Sequence, residues 1–515
     1  MRAPRVTPSR ARFALNLSLG LNILVLLCLL LQADPLLIAR HLPERLAKYD
    51  LAAPGLFPRA DQVGWRVGEQ GSILAEGSCD MCTTSPGLCE VVGEAGLAKA
   101  VSYAGSNDRL RRVLARMKAG EPFTVGVIGG SVSRGHGLAA PDGDNANDRK
   151  NLNRIIFDHL DALFPQAAGT VVGESGRELA KNGFVNGALG GTGSDYFSLC
   201  LQEHIPEDVD LVIVELAIND EVLLRNMDSY ELLVRSILDL PRKPAILNLN
   251  VFALMFAQVA NGGDLHSGIA QYYDLPILSL RNVFLHKALA NVSVIRELFH
   301  QKSGVPADDL SDVDLRHHSP EGHRLLGQLA SAYIDSQLCE MAKLEAKADT
   351  TDIEVLYPSP PLPRMRVVSK YDQNTQVPTL QPNCFPMTTG GKNRLTPLEN
   401  KGWREWNWEA KNYLIADEPG STVTFGFSTQ LGSVQLHYLR SASFGLGTVF
   451  CWVDDERDKG VTIVGYWNEI YNIGRAATIR ADLKAGEHRL HCELLETTAD
   501  PKGGREFRII SLMSI

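Results

Sequence analysis

Phe123-Thr-Val-Gly-Val-Ile-Gly-Gly-Ser131 is the stretch on which the reading of this chain turns. Its β-rich residues form a run of strand length that ends on two glycines and a serine. A serine directly after a strand lies at the carboxyl end of a sheet, where open α/β proteins place their sites. Glycine there lets the backbone turn sharply and lets a ligand come close. No Gly-Lys-Ser/Thr follows, so the phosphate-loop reading fails, and the G-x-G-x-x-G of a dinucleotide site is absent. Taken alone, the junction also fits a structural turn after a strand.

The flanking segments supply the sheet around it. Residues 107–118 (NDRLRRVLARMK) and 149–163 have apolar positions at helical spacing, and 229–239 is helix-like. DLVIVELAI (210–218), PAILNLNVF (244–252) and LPILSL (275–280) are apolar runs of strand length, and a closing helix runs from Leu325 to Leu338. This alternation predicts an α/β domain with a mostly parallel sheet over 91–345. Residues 346–383 hold Pro358, Pro360, Pro361, Pro363, Pro378 and Pro382, which marks an extended, linker-like segment. From 384 to 515, short alternating runs such as STVTFGF, GTVFCWVDD and EHRLHCELL are separated by turn residues, which predicts an antiparallel β-sandwich or jelly roll.

Toward the N-terminus the texture is different. The first twelve residues carry Arg2, Arg5, Arg10 and Arg12 and no acid, and Phe13 to Gln32 carries no charge. Twenty residues at the helical rise match the ~30 Å of a bilayer core, and the basic flank predicts that the N-terminal end stays cytoplasmic. The expectation is a cytoplasmic tail (1–12), a transmembrane signal anchor (13–32) and a stem with a Cys-bearing segment (33–90). That makes a single-pass type II membrane protein of the Golgi or cell surface. The alternative is a signal peptide cleaved near Leu31-Gln32-Ala33, giving a secreted protein.

Composition agrees with a folded body. The 515 residues are 44% hydrophobic and 22% charged, ordinary values that exclude wholesale disorder and collagen. A net charge of −9 argues against nucleic acid as a partner. Eight cysteines beyond Cys28 in an oxidising compartment predict disulfides, with Cys451 and Cys492 as a pair. A zinc reading of Cys79-x-x-Cys82 with Cys89 finds no matching second pair of ligands. Asn291-Val-Ser293 is a glycosylation sequon, whereas Asn16-Leu-Ser18 lies inside the membrane run.

Three further segments could carry chemistry. Asp314-Leu-Arg-His317-His-Ser-Pro-Glu-Gly-His323 is expected to open the closing helix. An Asp beside an imidazole fixes its tautomer, so that the other ring nitrogen can take a proton from a serine. The alternatives are a helix cap and a zinc site of His317, His318 and His323. The loop Asn186-Gly-Ala-Leu-Gly-Gly191 and the strand end Glu215-Leu-Ala-Ile-Asn219-Asp220 could supply amide donors to an oxyanion, or could simply be turns.

In this order the four segments resemble the SGNH (GDSL-type) hydrolases across roughly residues 120–335. The resemblance places the nucleophile on Ser131, oxyanion donors on Ser131, Gly191 and Asn219, and a D-x-x-H dyad on Asp314 and His317, with Ser319, Gly322 and His323 in the tail that follows. It implies a flavodoxin-like parallel-sheet domain and Ser-His-Asp acyl-enzyme chemistry with no metal and no cofactor. Gly130 stands where that family has aspartate, and Ala217 where it has glycine. The layout, including KGWREWNW (401–408), is also similar to fungal capsule-associated SGNH proteins. The implied activity is removal of O-acyl groups, O-acetyl above all, from an acylated carbohydrate. An O-acetyltransferase with the same site, or a silent glycan-binding protein, are the alternatives. Trp403, Trp406 and Trp408 are candidates for stacking on sugar, with sandwich core as the bland reading. Strand alternation places Trp406 and Trp408 on one face and Trp403 on the other.

Overall fold

Seven strands form the central sheet: β1 (Val101–Tyr103), β2 (Thr124–Gly129), β3 (Thr170–Val172), β4 (Asn182–Asn186), β5 (Leu211–Glu215), β6 (Ala245–Asn250) and β7 (Ile277–Ser279). Their order is β1-β7-β6-β5-β2-β4-β3. The computed structural model describes residues 77–515, apart from 142, 303–308, 375, 389–392 and 409–410. All pairings in this sheet are parallel except β1 with β7. The run β4-β2-β5-β6-β7 has the flavodoxin-like order, with β3 added at one edge and β1 at the other. Strands β2 and β5 are buried at every position. Helices cover both faces of such a sheet, so its strands read as continuous apolar runs rather than alternating ones.

The sheet order sets the position of the site. After β2 the chain moves outward to β3 and β4, then crosses back to β5, β6 and β7 on the other side. The carboxyl ends of β2, β4 and β5 therefore flank the switch point at which open α/β sheets bind ligands.

One element differs from the sequence expectation. The closing helix spans Pro320–Glu345, with Ser319 as its N-cap accepting from the Gly322 N–H. Asp314 and His317 precede it in β9 (Val313–His318), which pairs antiparallel with β8 (Phe299–Gln301). Pro320 accounts for the shift. Proline is favoured at the first helical position and steers the residue before it away from helical geometry.

The 346–383 segment is extended but docked rather than free. Its carbonyls accept from arginines on the helices beneath, as at Arg235 Nη1 to the Pro363 carbonyl (2.9 Å). Arg109 Nη1 also donates to Ser359 Oγ (3.0 Å). Buried Glu231 accepts the amides of Val367 (2.6 Å) and Val368 (3.2 Å), and Tyr357 is fully buried. Proline deprives this chain of donors but leaves its carbonyls to be satisfied, and side chains on the domain do so.

The C-terminal region is a sandwich of two antiparallel sheets. Its strands are β10 (Asn383–Pro386), β11 (Glu399–Lys401), β12 (Arg404–Trp408), β13 (Lys411–Ala416), β14 (Thr422–Thr429), β15 (Val434–Arg440), β16 (Thr448–Val453), β17 (Val461–Val464), β18 (Ile473–Arg480), β19 (Gly486–Leu494) and β20 (Phe507–Ser514). One sheet runs β12-β13-β20-β15-β18 with β10 beside β20, and the other β11-β14-β19-β16-β17. Trp403, Phe425, Phe427, Val449 and Phe507 fill the space between them. Cys384, Met513 and Ile515 instead join Tyr196, Phe197 and Ile205 in the core of the α/β part. The two parts thus share apolar core, and the described residues lie in one compact unit.

Four disulfides pair all eight cysteines: Cys79–Cys339, Cys82–Cys89, Cys200–Cys384 and Cys451–Cys492. The zinc reading of Cys79, Cys82 and Cys89 falls, because a disulfide sulfur is no thiolate ligand. Among the described residues no helix is long and apolar enough to cross a membrane. The segment Phe13–Gln32, and the tail and most of the stem around it, lie outside the described residues.

Candidate active site

Ser131 sits two residues beyond β2, in a turn that Glu215 fastens from β5. The Ser133 N–H (3.1 Å) and hydroxyl (3.0 Å) both donate to Glu215 Oε2, and the Gly130 N–H donates to the Glu215 carbonyl (3.2 Å). Burial pushes the Glu215 carboxyl up to about 8, against the Ser133 bonds.

Three side chains from two ends of the sequence meet here. Ser131 Oγ lies 2.8 Å from His317 Nε2, and His317 Nδ1 lies 2.6 Å from Asp314 Oδ2. A helical turn does not bring Asp314 to His317. Its other oxygen accepts the backbone N–H groups of Arg316 (3.1 Å) and His317 (3.3 Å), curling the chain at the end of β9. An ionised carboxylate only accepts, so Nδ1 carries the proton and Nε2 can accept from the Ser131 hydroxyl. Burial pushes the His317 imidazole below its ordinary value, partly offset by the Asp314 hydrogen bond, while Arg316 adds to the depression. Burial works to raise Asp314, but the His317 hydrogen bond and charge and the Arg316 amide outweigh it and hold the carboxyl well below its usual range. At neutral pH the pair is therefore carboxylate and neutral imidazole, poised to take a proton.

Donors converge beside the serine. The N–H groups of Ser131 and Gly191 have no acceptor among the described residues. Gly191 holds φ +71°, in the left-handed region that glycine tolerates. Asn219 packs its amide against Gly130, so closely that a Cβ at 130 would overlap Asn219 Oδ1. The glycine at 130 is thus the space that the Asn219 amide occupies. Asp220 ties the two donor segments together. Its Oδ1 accepts the Ser194 N–H (2.8 Å) and its Oδ2 meets His266 Nε2 (2.8 Å).

The sandwich holds the glycine loop from the other side. Lys411 Nζ donates to the Gly190 carbonyl (2.9 Å), and the Gly474 N–H donates to the Gly191 carbonyl (2.7 Å). The Ala476 N–H reaches Asp195 Oδ2 (3.0 Å). The cleft over Ser131 has a volume of about 470 Å³, and both parts of the chain line it. Asn219, Phe256 and Arg316 come from the α/β part, and Trp408, Lys411 and Tyr471 from the sandwich.

The other expected residues separate. Trp403 is buried in the sandwich core, and Trp406 is exposed with the Arg508 guanidinium 4.4 Å from its ring centre. Trp408 reaches the cleft and packs edge-on to Phe444. The zinc grouping of His317, His318 and His323 does not form. His318 Nδ1 meets the Leu298 carbonyl (3.1 Å), and His323 Nδ1 accepts the Leu152 N–H (3.2 Å). Asn291 caps the helix Val292–Leu298, its Oδ1 accepting from the Ser293 N–H (3.0 Å) and hydroxyl (2.8 Å).

Sequence reading missed His136, Lys411, Tyr471 and Arg475. His136 lies edge-on to His317 with ring centres 5.0 Å apart. Burial lowers its pKa to about 4, helped by the charges of His317, Lys411, Arg316 and Arg134. It follows the nucleophile segment closely, so its position was the one available signal. The sandwich residues belong to no motif and come some 280 or more residues after Ser131.

No family model matches the sequence, and no curated protein matches it. Among solved structures, the chain is similar to a two-domain esterase active on acetylated mannans. The TM-score is 0.57 at 18% identity, covering 81% of this chain and 98% of that one. The same esterase co-crystallised with mannopentaose gives 0.56 at 19% identity, covering 81% and 97%. At such identity the likeness is one of fold, and it spans both parts of the molecule: this chain has the fold of a two-domain esterase.

Proposed function

We propose that the chain is a serine esterase that removes O-acyl groups, O-acetyl above all, from glycans, as an SGNH-type hydrolase. The observation that carries this is the hydrogen-bonded sequence Ser131–His317–Asp314 opening on a cleft. The choice of a glycan is supported by the fold shared with an esterase active on acetylated mannans. Ser131 Oγ attacks the ester carbonyl carbon while His317 Nε2 takes its proton. The Ser131 and Gly191 amides and the Asn219 side chain stabilise the oxyanion. Each such donor is typically worth ~3–4 kcal/mol in the transition state. His317 then protonates the departing sugar oxygen, leaving an acyl-Ser131. A water molecule, deprotonated by the same imidazole, releases the acid. Residues 13–32 would anchor this body as a type II membrane protein, facing the lumen or the cell exterior.

The test is hydrolysis by the full chain of p-nitrophenyl acetate and of acetylated mannan or xylan. Wild type is expected to release acetate from both, and Ser131→Ala from neither. Background rates in both proteins would overturn the proposal.

A further inference from the structure

One cation in the cleft has a buried N–H that no acceptor among the described residues meets. Arg316 lies beside His317, lines the cleft and is half-buried. Its Nε is buried without a hydrogen-bond partner. Among the described residues its guanidinium makes no hydrogen bond and no ion pair. The other cations of the cleft differ. Arg475 pairs with Glu221 at 2.8 Å through Nη2, although its Nε and Nη1 are buried without a partner, and Lys411 Nζ is on the Gly190 carbonyl. The Asp314 charge acts on Arg316, but both of its oxygens are taken up by other hydrogen bonds, and the remaining carboxylates are engaged elsewhere or exposed. Asp314 is bound to His317, Asp220 to His266, and Glu221 to Arg475 and Arg225, while Glu469 is an exposed residue of the wall.

A guanidinium N–H that is buried without a hydrogen-bond partner is costly until a ligand supplies an acceptor. Its planar fork matches a carboxylate bidentately, a geometry that a neutral hydroxyl does not complete. Lys411, Arg316 and Arg134 all act as positive charges on His136, which packs against the Gly190 loop.

We propose that Arg316 is a carboxylate-recognising residue of the cleft, and that the preferred substrate is an acylated glycan carrying a uronic acid next to the esterified sugar. This rests on the esterase reading above and narrows its substrate class.

The test compares acetylated glucuronoxylan oligosaccharides with the same oligosaccharides after methyl esterification of the uronate, which replaces the charged carboxylate by a neutral ester, and follows acetate release rather than methanol release. For the full-length wild type, kcat/KM is expected to favour the free carboxylate by about tenfold, carried mainly by KM, as one charge-assisted hydrogen-bond pair allows. Raising the salt concentration should shrink the preference. In Arg316→Gln the ratio should fall to about one, and Arg316→Lys should keep part of it. The ratio within each variant cancels any general loss of activity or folded protein. Equal kcat/KM on the two substrates, or a preference that survives in Arg316→Gln, would overturn the proposal. Ser131-dependent cleavage of p-nitrophenyl acetate in the same preparations keeps that result distinct from failure of the esterase reading.

Discussion

His317 is held between two opposing influences, and its position between them sets the expected pH dependence. Burial disfavours the imidazolium, and Asp314 favours it. The base works only when neutral, so kcat/KM should rise with pH through the His317 pKa, with a midpoint below the ordinary value of ~6.5. In Asp314→Asn the stabilising carboxylate is gone, so the acid limb should move to still lower pH. The residual kcat should fall by about 10⁴-fold, as when the orienting acid of such a triad is lost. A pH–rate profile on p-nitrophenyl acetate reads both effects, and an unchanged limb in the variant would count against the assignment of Asp314. At this scale the sequence was informative: Ser131, Asp314 and His317 each belonged to a short pattern, and the structure brings them into hydrogen-bond sequence. It could not show why Gly130 stands where the resembled family has aspartate. That answer depends on the Asn219 amide, which comes 89 residues later.

Elements were legible where periodicity was strong and misread where local chemistry overrode it. The buried runs of β2, β5 and β6 are plain in the sequence because both of their faces are covered. The D-x-x-H spacing reads as a helix start, yet Pro320 delays the helix and an Asp-centred turn does the joining instead. Likewise the proline-dense 346–383 reads as a linker, because the donors that dock it are arginines from distant helices. The contact of β13 with the glycine loop was wholly hidden, and it carries a prediction. Lys411→Met removes the donor to the Gly190 carbonyl, one of two ties from the sandwich to the loop that bears the Gly191 amide. We expect kcat on p-nitrophenyl acetate to fall about tenfold or more with little change in KM, since small misplacements of such donors are costly. Lys411→Arg, which can still donate, should recover much of it. Because p-nitrophenyl acetate carries no sugar, an unaffected kcat would mean that Lys411 acts only on glycan.

Across the whole molecule, the two parts behave as one body. Their shared core, the Cys200–Cys384 link and the cleft walls from both sides argue that the sandwich is part of the body that bears the cleft rather than a tethered appendage. Sequence texture separated the α/β and β-sandwich regions but gave no sign that they share a core, because the residues that join them look like ordinary apolar positions in each. The joint body also contains histidines that burial keeps neutral. His136, His204 and His318 are lowered to about 4, and His323 and His437 to about 3. In the unfolded chain each would titrate near ~6.5, so below that pH the unfolded state binds more protons. Stability should therefore be lost as pH falls from about 6.5 toward 4, at up to ~1.4 kcal/mol per pH unit for each such histidine. Melting curves at pH 7.5, 5.5 and 4.5 check this, and a constant Tm over that range would contradict it.

The proposed chemistry stands on Ser131 as a nucleophile activated by His317. Its most direct test is covalent capture. The full chain is treated with a fluorophosphonate at neutral pH, and the modified peptide is located by mass spectrometry. One adduct is expected, on Ser131 within 123–134, formed rapidly in wild type and at background rate in His317→Ala. A chain left unmodified at Ser131, or labelled there equally fast without His317, would contradict it.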